Sequence, residues 1–302
     1  MKCHEWVSKR VYLRTAASAC HCMPTVLAHV FCNDGFVIAA DGLDHLRDGT
    51  TLTVDSDEAQ KVFRLDGNNR SVACAFYGRV TQYEDSGENL VFDFISELNR
   101  ASRMVASEVF PDAATFGTAL AEEISDRLQR VIETGSINKY LAARKESRTL
   151  GQRGIEVVSI YLDGYFGNDP YRSHISIFKE YGTIMWQLGT GHPLSGNGLS
   201  LHGSDKIAYH LFDAQNDEYP HLATYRSKAC RSVYRRPQLL NSLQDAMDVA
   251  RNYVAACCDQ RSRDVDPICH NFGGTPQLAT ITRQDGFQWV DPPGRYRILQ
   301  QI

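Results

Sequence analysis

The stretch PTVLAHVFCNDGFVIAADG, Pro24 to Gly42, decides how the rest of the chain is read. Its first half, TVLAHVF, is β-branched and apolar. Asn33-Asp34-Gly35 is a hairpin signal, and FVIAAD is almost wholly apolar, as a strand buried on both faces should be. Two antiparallel strands are predicted, opened by Thr25 and closed by a lone aspartate, Asp41. Taken singly, a strand threonine reflects β-propensity and an aspartate at a strand end caps a turn.

Downstream, a polar loop rich in Asp and Thr is expected, then a second hairpin over KVFRLDGNNRSVACAFYG with a turn at DGNN. Two helices follow. From Glu88 to Ala106, Val91, Phe94, Leu98 and Val105 share a stripe; from Ala113 to Thr134, Phe116, Leu120, Ile124, Leu128 and Val131 do the same, with Gly135 as C-cap. IEVVSIYLDGYF, SHISIFKE and TIMWQLG suit three antiparallel strands. Ser242 and Asp245 form a capping box for a late helix lined by Leu243, Ala246, Ala250, Tyr253 and Cys257, and PQLATITRQDGFQWV closes the chain as a hairpin. Strands, paired helices, strands, a helix and strands predict an α+β fold, a four-layer αββα sandwich with two sheets inside and helices outside.

Composition narrows the function. The 302 residues are 43% apolar, enough for one large core, and residues 25–302 read as a single domain. A net charge of −4 argues against a nucleic-acid binder, and no apolar run approaches the ~18 residues of a membrane span. Nine cysteines, an odd number without a C-x-x-C pair, read as free thiols of a reducing compartment, so a cytoplasmic protein is expected. Residues 1–24 are basic and lack a secretory apolar stretch; they read as a leader or propeptide, or as an overlong start with Met23 the initiator. Cys3, His4, Cys20, His21 and Cys22 offer zinc-ligand chemistry there, as an alternative. The chain has no G-x-x-x-x-G-K-[ST], H-E-x-x-H or G-x-S-x-G, and GTGHPLSGNG lacks the lysine of a phosphate loop, so no cofactor or metal is expected.

With SDEAQKVFRLD and VACAFYG, the opening stretch resembles the β-type subunits of the proteasome, members of the N-terminal nucleophile hydrolases, and FGGTPQLATIT resembles the bacterial branch. The likeness runs over about residues 25 to 290. It implies that Thr25 is the first residue of the mature chain and its nucleophile. It further implies that Asp41, sixteen positions on, and Lys61 before Val62-Phe63 are its activators, and that Gly78 supplies the oxyanion N–H. Thr190 stands where the family has a serine, and Asp266 is a supporting residue only with a local insertion, because a gapless match places Cys269 and Phe272 there. Pro24 replaces the usual glycine before the nucleophile, and Leu43 the usual arginine-type neighbour.

The chemistry is coherent. A threonine hydroxyl needs a base, and a freed α-amino group, with pKa about 7.7–8.0, is near its working range. The expected function is threonine-type hydrolysis of peptide or other amide bonds by a homo-oligomer, a ring being one arrangement the resemblance implies. A non-catalytic subunit that assembles or binds is the alternative.

Overall fold

The computed structural model describes residues 25–48, 51–78, 81–83, 90–105, 107–133, 155–180, 183–190, 197–212, 218–227 and 240–294. The predicted leader, its cysteines and histidines, Pro24 and the Gly135 cap lie outside them.

The opening hairpin forms as its sequence dictates. β1 (Leu27–Cys32) and β2 (Gly35–Ala40) pair antiparallel from Leu27 opposite Ala40 to Cys32 opposite Gly35, and every residue of both is buried. The polar loop expected next is instead a two-stranded ribbon, β3 (Asp44–Asp48) with β4 (Thr51–Ser56). The DGNN hairpin appears as β5 (Val62–Arg64) and β6 (Arg70–Gly78). The helix expected from Glu88 begins later. β7 (Thr81–Tyr83) and β8 (Leu90–Asp93) form a second ribbon that takes up Val91. α1 (Phe94–Met104) starts where the Asp93 carboxylate accepts from Ile95 N–H at 2.9 Å and from Ser96 Oγ at 2.7 Å, a cap that fixes the boundary.

α2 (Ala113–Glu133) matches its predicted span to within a residue. Of its five-residue stripe, Phe116, Leu120, Ile124 and Leu128 are fully buried, each side chain worth about 1.5–3 kcal/mol of apolar transfer, and Val131 is half-buried against the same cluster. β9 (Ile155–Phe166), β10 (Asp169–Glu180) and β11 (Thr183–Thr190) are the three predicted antiparallel strands. β12 (Gly198–His202), α3 (Asp205–Phe212) and α4 (Pro220–Ala223) follow. α5 (Leu243–Cys258) starts at Ser242, whose Oγ accepts from Asp245 N–H at 3.1 Å. Two 3-10 turns (Gln260–Arg263, Pro267–Asn271) lead to the final hairpin, β13 (Gln277–Thr282) with β14 (Gly286–Asp291).

The long strands make two five-stranded antiparallel sheets, one ordered β12-β1-β2-β13-β14 and the other β11-β10-β9-β6-β5. α1 and α2 cover the second through an apolar cluster including Phe63, Phe76, Phe116 and Ile160, while α3 and α5 share a cluster with β1 and β2. A third cluster joins residues of both sheets, among them Leu27, Phe36, Ile38, Val62, Ala75 and Tyr165.

The α+β class therefore stands, but the four-layer αββα sandwich is corrected. Four strands lie in ribbons outside either large sheet, and the helices are unequal. Among the described residues, a 16-residue helix next to β1 and β2 is accompanied by helices of eight and four residues and by 3-10 turns. Among the described residues of that segment, Pro220 and Pro267 stand at the starts of short helical turns, so no second long helix like α1 or α2 is formed there.

Candidate active site

The hairpin register explains the spacing of Thr25 and Asp41. With Leu27 opposite Ala40, the next residues outward are Val26 and Asp41, and they clasp one another: Asp41 N–H donates to Val26 O at 3.2 Å, and Val26 N–H donates to Asp41 Oδ1 at 3.1 Å. The carboxylate is thereby held beside the residue that follows Thr25. Thr25 is 3% exposed and Asp41 is completely buried.

Lys61 reaches this point from the other sheet, one residue before β5. All three ammonium protons are used: Nζ donates to Leu43 O at 2.6 Å, to Asp41 Oδ1 at 2.9 Å and to Thr25 Oγ1 at 3.4 Å. The Lys61 side chain thus faces three acceptors, one of them a carboxylate. Burial pushes the Asp41 carboxyl above the usual carboxylate range, and Lys61, Val26 N–H and Gly273 N–H, the last at 3.5 Å from Oδ2, pull it back.

The glycines around Asp41 permit this packing. Gly42 N–H donates to Gly273 O at 3.0 Å, and a Cβ at Gly42 would stand 2.5 Å from Thr275 O. Gly274 has φ +69°, and a Cβ there would collide with Asp57 O. Cys258, at the end of α5, is close enough for both Asp41 and Lys61 to act on it. Burial pushes its thiol well up, which leaves it an unreactive neighbour.

Thr25, Asp41 and Lys61 are thus brought together. The other expected residues are placed as follows. Gly78 ends β6 opposite Val158, two residues beyond Phe76, whose N–H donates to Lys61 O at 3.3 Å. Thr190 ends β11 opposite Ser173, on the edge of the sheet farthest from β5. Asp266 caps the second 3-10 turn, accepting from Ile268 N–H at 3.2 Å, and accepts from Ser204 Oγ at 2.7 Å, a bond that ties the turn to the start of α3. Cys269 and Phe272, the gapless alternatives, are buried in the apolar cluster with α5.

Two features carry no clear signal in the sequence. One is Gln277, the first residue of β13, 1% exposed and bonded to the backbone on both sides of the site. A glutamine opening an apolar strand, as in PQLATIT, is its only mark. The other is a buried polar cluster further along β1. His29 Nδ1 lies 2.5 Å from Asp163 Oδ2, and Arg172 Nε donates to Asp163 Oδ1 at 2.5 Å. His202 meets His29 edge-on at 5.8 Å between ring centroids and Tyr161 at 4.5 Å, and Tyr161 stacks on His174 at 4.4 Å. Burial pushes Asp163 up, but Arg172 and His29 outweigh it and hold the carboxyl at about 2. Burial, then the neighbouring His29, His174 and Arg172, pushes His202 well below the ordinary histidine range. Among the described residues no group of three metal-ligating side chains converges, and no helix is long and apolar enough to cross a membrane.

No family model matches the chain, and no curated protein matches it either. Among solved structures it is similar to the Anbu (Gly-1) mutant from Hyphomicrobium sp. strain MC1. The identity is 11%, with 88% of this chain and 87% of that chain covered, at a TM-score of 0.48. It is likewise similar to Anbu (ancestral beta-subunit) from Yersinia bercovieri, at 11% identity, the same coverage and a TM-score of 0.46. The expected membership of the proteasome β-type subunits and their bacterial branch is corrected accordingly. The short motifs that suggested it extend to no family match, and neither likeness is strong enough to rest an argument on. The functional reading therefore stands on the geometry of the chain itself.

Proposed function

We propose that the protein is a threonine-type N-terminal nucleophile hydrolase that cleaves peptide or other amide bonds through an acyl-enzyme on Thr25, once the Pro24–Thr25 bond has been cut. The observation that carries this reading is the placement of the Lys61 ammonium, which donates to the Thr25 hydroxyl and to the buried Asp41 carboxylate at once.

The free Thr25 amine takes the hydroxyl proton as Oγ1 attacks the substrate carbonyl carbon, general-base help worth about 10²–10⁴-fold. Lys61 lowers the pKa of both the hydroxyl and the amine by its charge, and Asp41 fixes and balances Lys61. The Gly78 N–H is the proposed donor to the tetrahedral oxyanion, a contact typically worth about 10²–10³-fold. The protonated amine then delivers its proton to the leaving amine as the C–N bond breaks, leaving an ester on Thr25 that water hydrolyses. Thr190 and Asp266 are the proposed supporting residues of this scheme, neither of which takes part in the proton transfers. Residues 1–24 are its leader and residues 25–302 its domain, and the chain acts as a cytoplasmic homo-oligomer without metal or organic cofactor.

The test is N-terminal sequencing of the purified full chain together with turnover of a peptide and amide panel. Thr25 as first residue, with turnover abolished in Thr25→Ala, supports the reading. Equal inertness of the two proteins contradicts it. One observation favours the second reading, a non-catalytic assembly subunit: Thr25 is buried and its nitrogen is acylated by a proline, a combination that leaves the hydroxyl without a base.

A further inference from the structure

We infer that Gln277 is a positioning residue for this site: its side-chain amide sets the alignment of Lys61 on Asp41 and Thr25. The inference rests on the proposed hydrolase function and adds to it a residue 216 positions from Lys61 in sequence.

The need for such a residue follows from the topology. Asp41 lies just past the end of β2, in the sheet ordered β12-β1-β2-β13-β14. Lys61 lies just before β5, at the edge of the other sheet. Among the described residues no strand ladder joins β2 to β5; the backbone bond between the two segments, Ala59 N–H to Gly42 O at 2.8 Å, stops two residues short of Lys61. Gln277 spans the gap. It opens β13 opposite Ala40, the residue before Asp41. Its Oε1 accepts from Lys61 N–H at 3.0 Å and Val62 N–H at 3.4 Å, while its Nε2 donates to Asp41 O at 3.3 Å and Ala59 O at 2.5 Å. One amide therefore extends that single backbone bond as far as Lys61, tying the backbone of the cation to the backbone of its counter-ion.

The chemistry of the side chain is fully used. An amide has two N–H donors and an oxygen with two lone pairs, and all four are engaged. The orientation is fixed by the partners: reversed, the NH2 would face two N–H donors and the oxygen two carbonyls. Glutamate keeps the acceptor side but presents an oxygen to Asp41 O and Ala59 O and adds a second buried charge beside Asp41. Asparagine keeps the amide but is one methylene too short to hold both segments. Leucine fills the volume and leaves two N–H groups and two carbonyls without partners, a penalty of the kind that shifts backbone.

The full chain with Gln277→Leu, Gln277→Glu and Gln277→Asn tests this in two ways. The first is competitive acetylation of lysines by acetic anhydride with mass-spectrometric readout, Lys206, which is exposed, serving as internal reference. Lys61 is 6% exposed and should be protected in the parent chain. In Gln277→Leu its labelling relative to Lys206 should rise about tenfold or more, since a displacement of about 1 Å is enough to disable a tuned contact. The second is turnover. If the parent chain cleaves an amide substrate, the uncharged Gln277→Asn should lower kcat about tenfold or more with KM within about twofold, and move the acid limb of the pH profile upward as the Lys61 charge recedes from the Thr25 amine. A purely structural role would lower the active fraction and leave the pH limb in place. Parent-like kcat and Lys61 labelling in the variants overturn the inference while leaving the hydrolase reading intact. A parent chain with no turnover removes that reading and the inference with it. If Gln277→Leu does not fold, Gln277→Glu and Gln277→Asn decide.

Discussion

Lys61 and Asp41 form an ion pair at 2.9 Å with 7% and 0% of their side chains exposed. Such a pair is a weak source of stability when intact, because desolvation offsets attraction, but removing one partner strands the other. Asp41→Asn and Lys61→Met should each cost about 3–5 kcal/mol in urea denaturation, and the double variant should cost less than their sum.

The pH dependence of Lys61→Met separates this explanation from simple loss of packing. Burial already raises Asp41 and Lys61 is the first influence opposing it, so the variant's Asp41 should titrate higher still. A carboxyl raised on folding favours the protonated native state. The penalty of Lys61→Met should therefore grow as pH rises from the unfolded aspartate value through that raised pKa, reach its full size above it, and shrink as pH falls back through it. A penalty independent of pH between about 4 and 8 would contradict it, a window set by about 3.9 for an unperturbed aspartate.

Acid sensitivity should arise elsewhere, in the cluster around Asp163. His202 is held below its ordinary value, so the unfolded chain binds its proton more readily, and native stability should begin to fall as pH drops below the unfolded histidine pKa of about 6.5. Asp163, held at about 2, adds stability that is complete above the unfolded carboxyl value and is lost as pH falls from there toward 2. Chemical denaturation at about pH 7.5, 5.5 and 3.5 should show two successive losses, and His202→Gln should flatten the first. An unchanged slope in that variant would assign the first loss to other groups.

Gly274→Ala should be disproportionately costly for a loop change. The left-handed φ and the collision with Asp57 O together predict a loss of about 1–3 kcal/mol, with reduced turnover because Gly273 N–H and Asp41 move with the loop. Thermal melting and kcat on the same sample check both effects.

Local signals were legible in the sequence. The Asn33-Asp34-Gly35 turn, the stripe of α2 and the Ser242 cap each depend on residues within a few positions, and each is where it was expected. The spacing of Thr25 and Asp41 was legible for the same reason, since it is a consequence of hairpin register. The β3/β4 ribbon was missed because charged and threonine-rich segments give no burial alternation to read, and the start of α1 was misplaced because Asp93 outranks an apolar stripe begun too early. Gln277 and the His29–Asp163 pair were invisible: their partners lie 216 and 134 positions away, and only the packed sheets bring them together. Asp266 caps the second 3-10 turn and accepts from Ser204 Oγ, a partner 62 positions away that the sequence does not reveal.

The most direct test is mass spectrometry of the purified full chain, acid-quenched during reaction with an amide substrate and digested. The hydrolase reading predicts a mature chain beginning at Thr25, with the acyl group of the substrate carried on the Thr25 peptide. A chain still joined through Pro24, with no acyl adduct at Thr25, would contradict it.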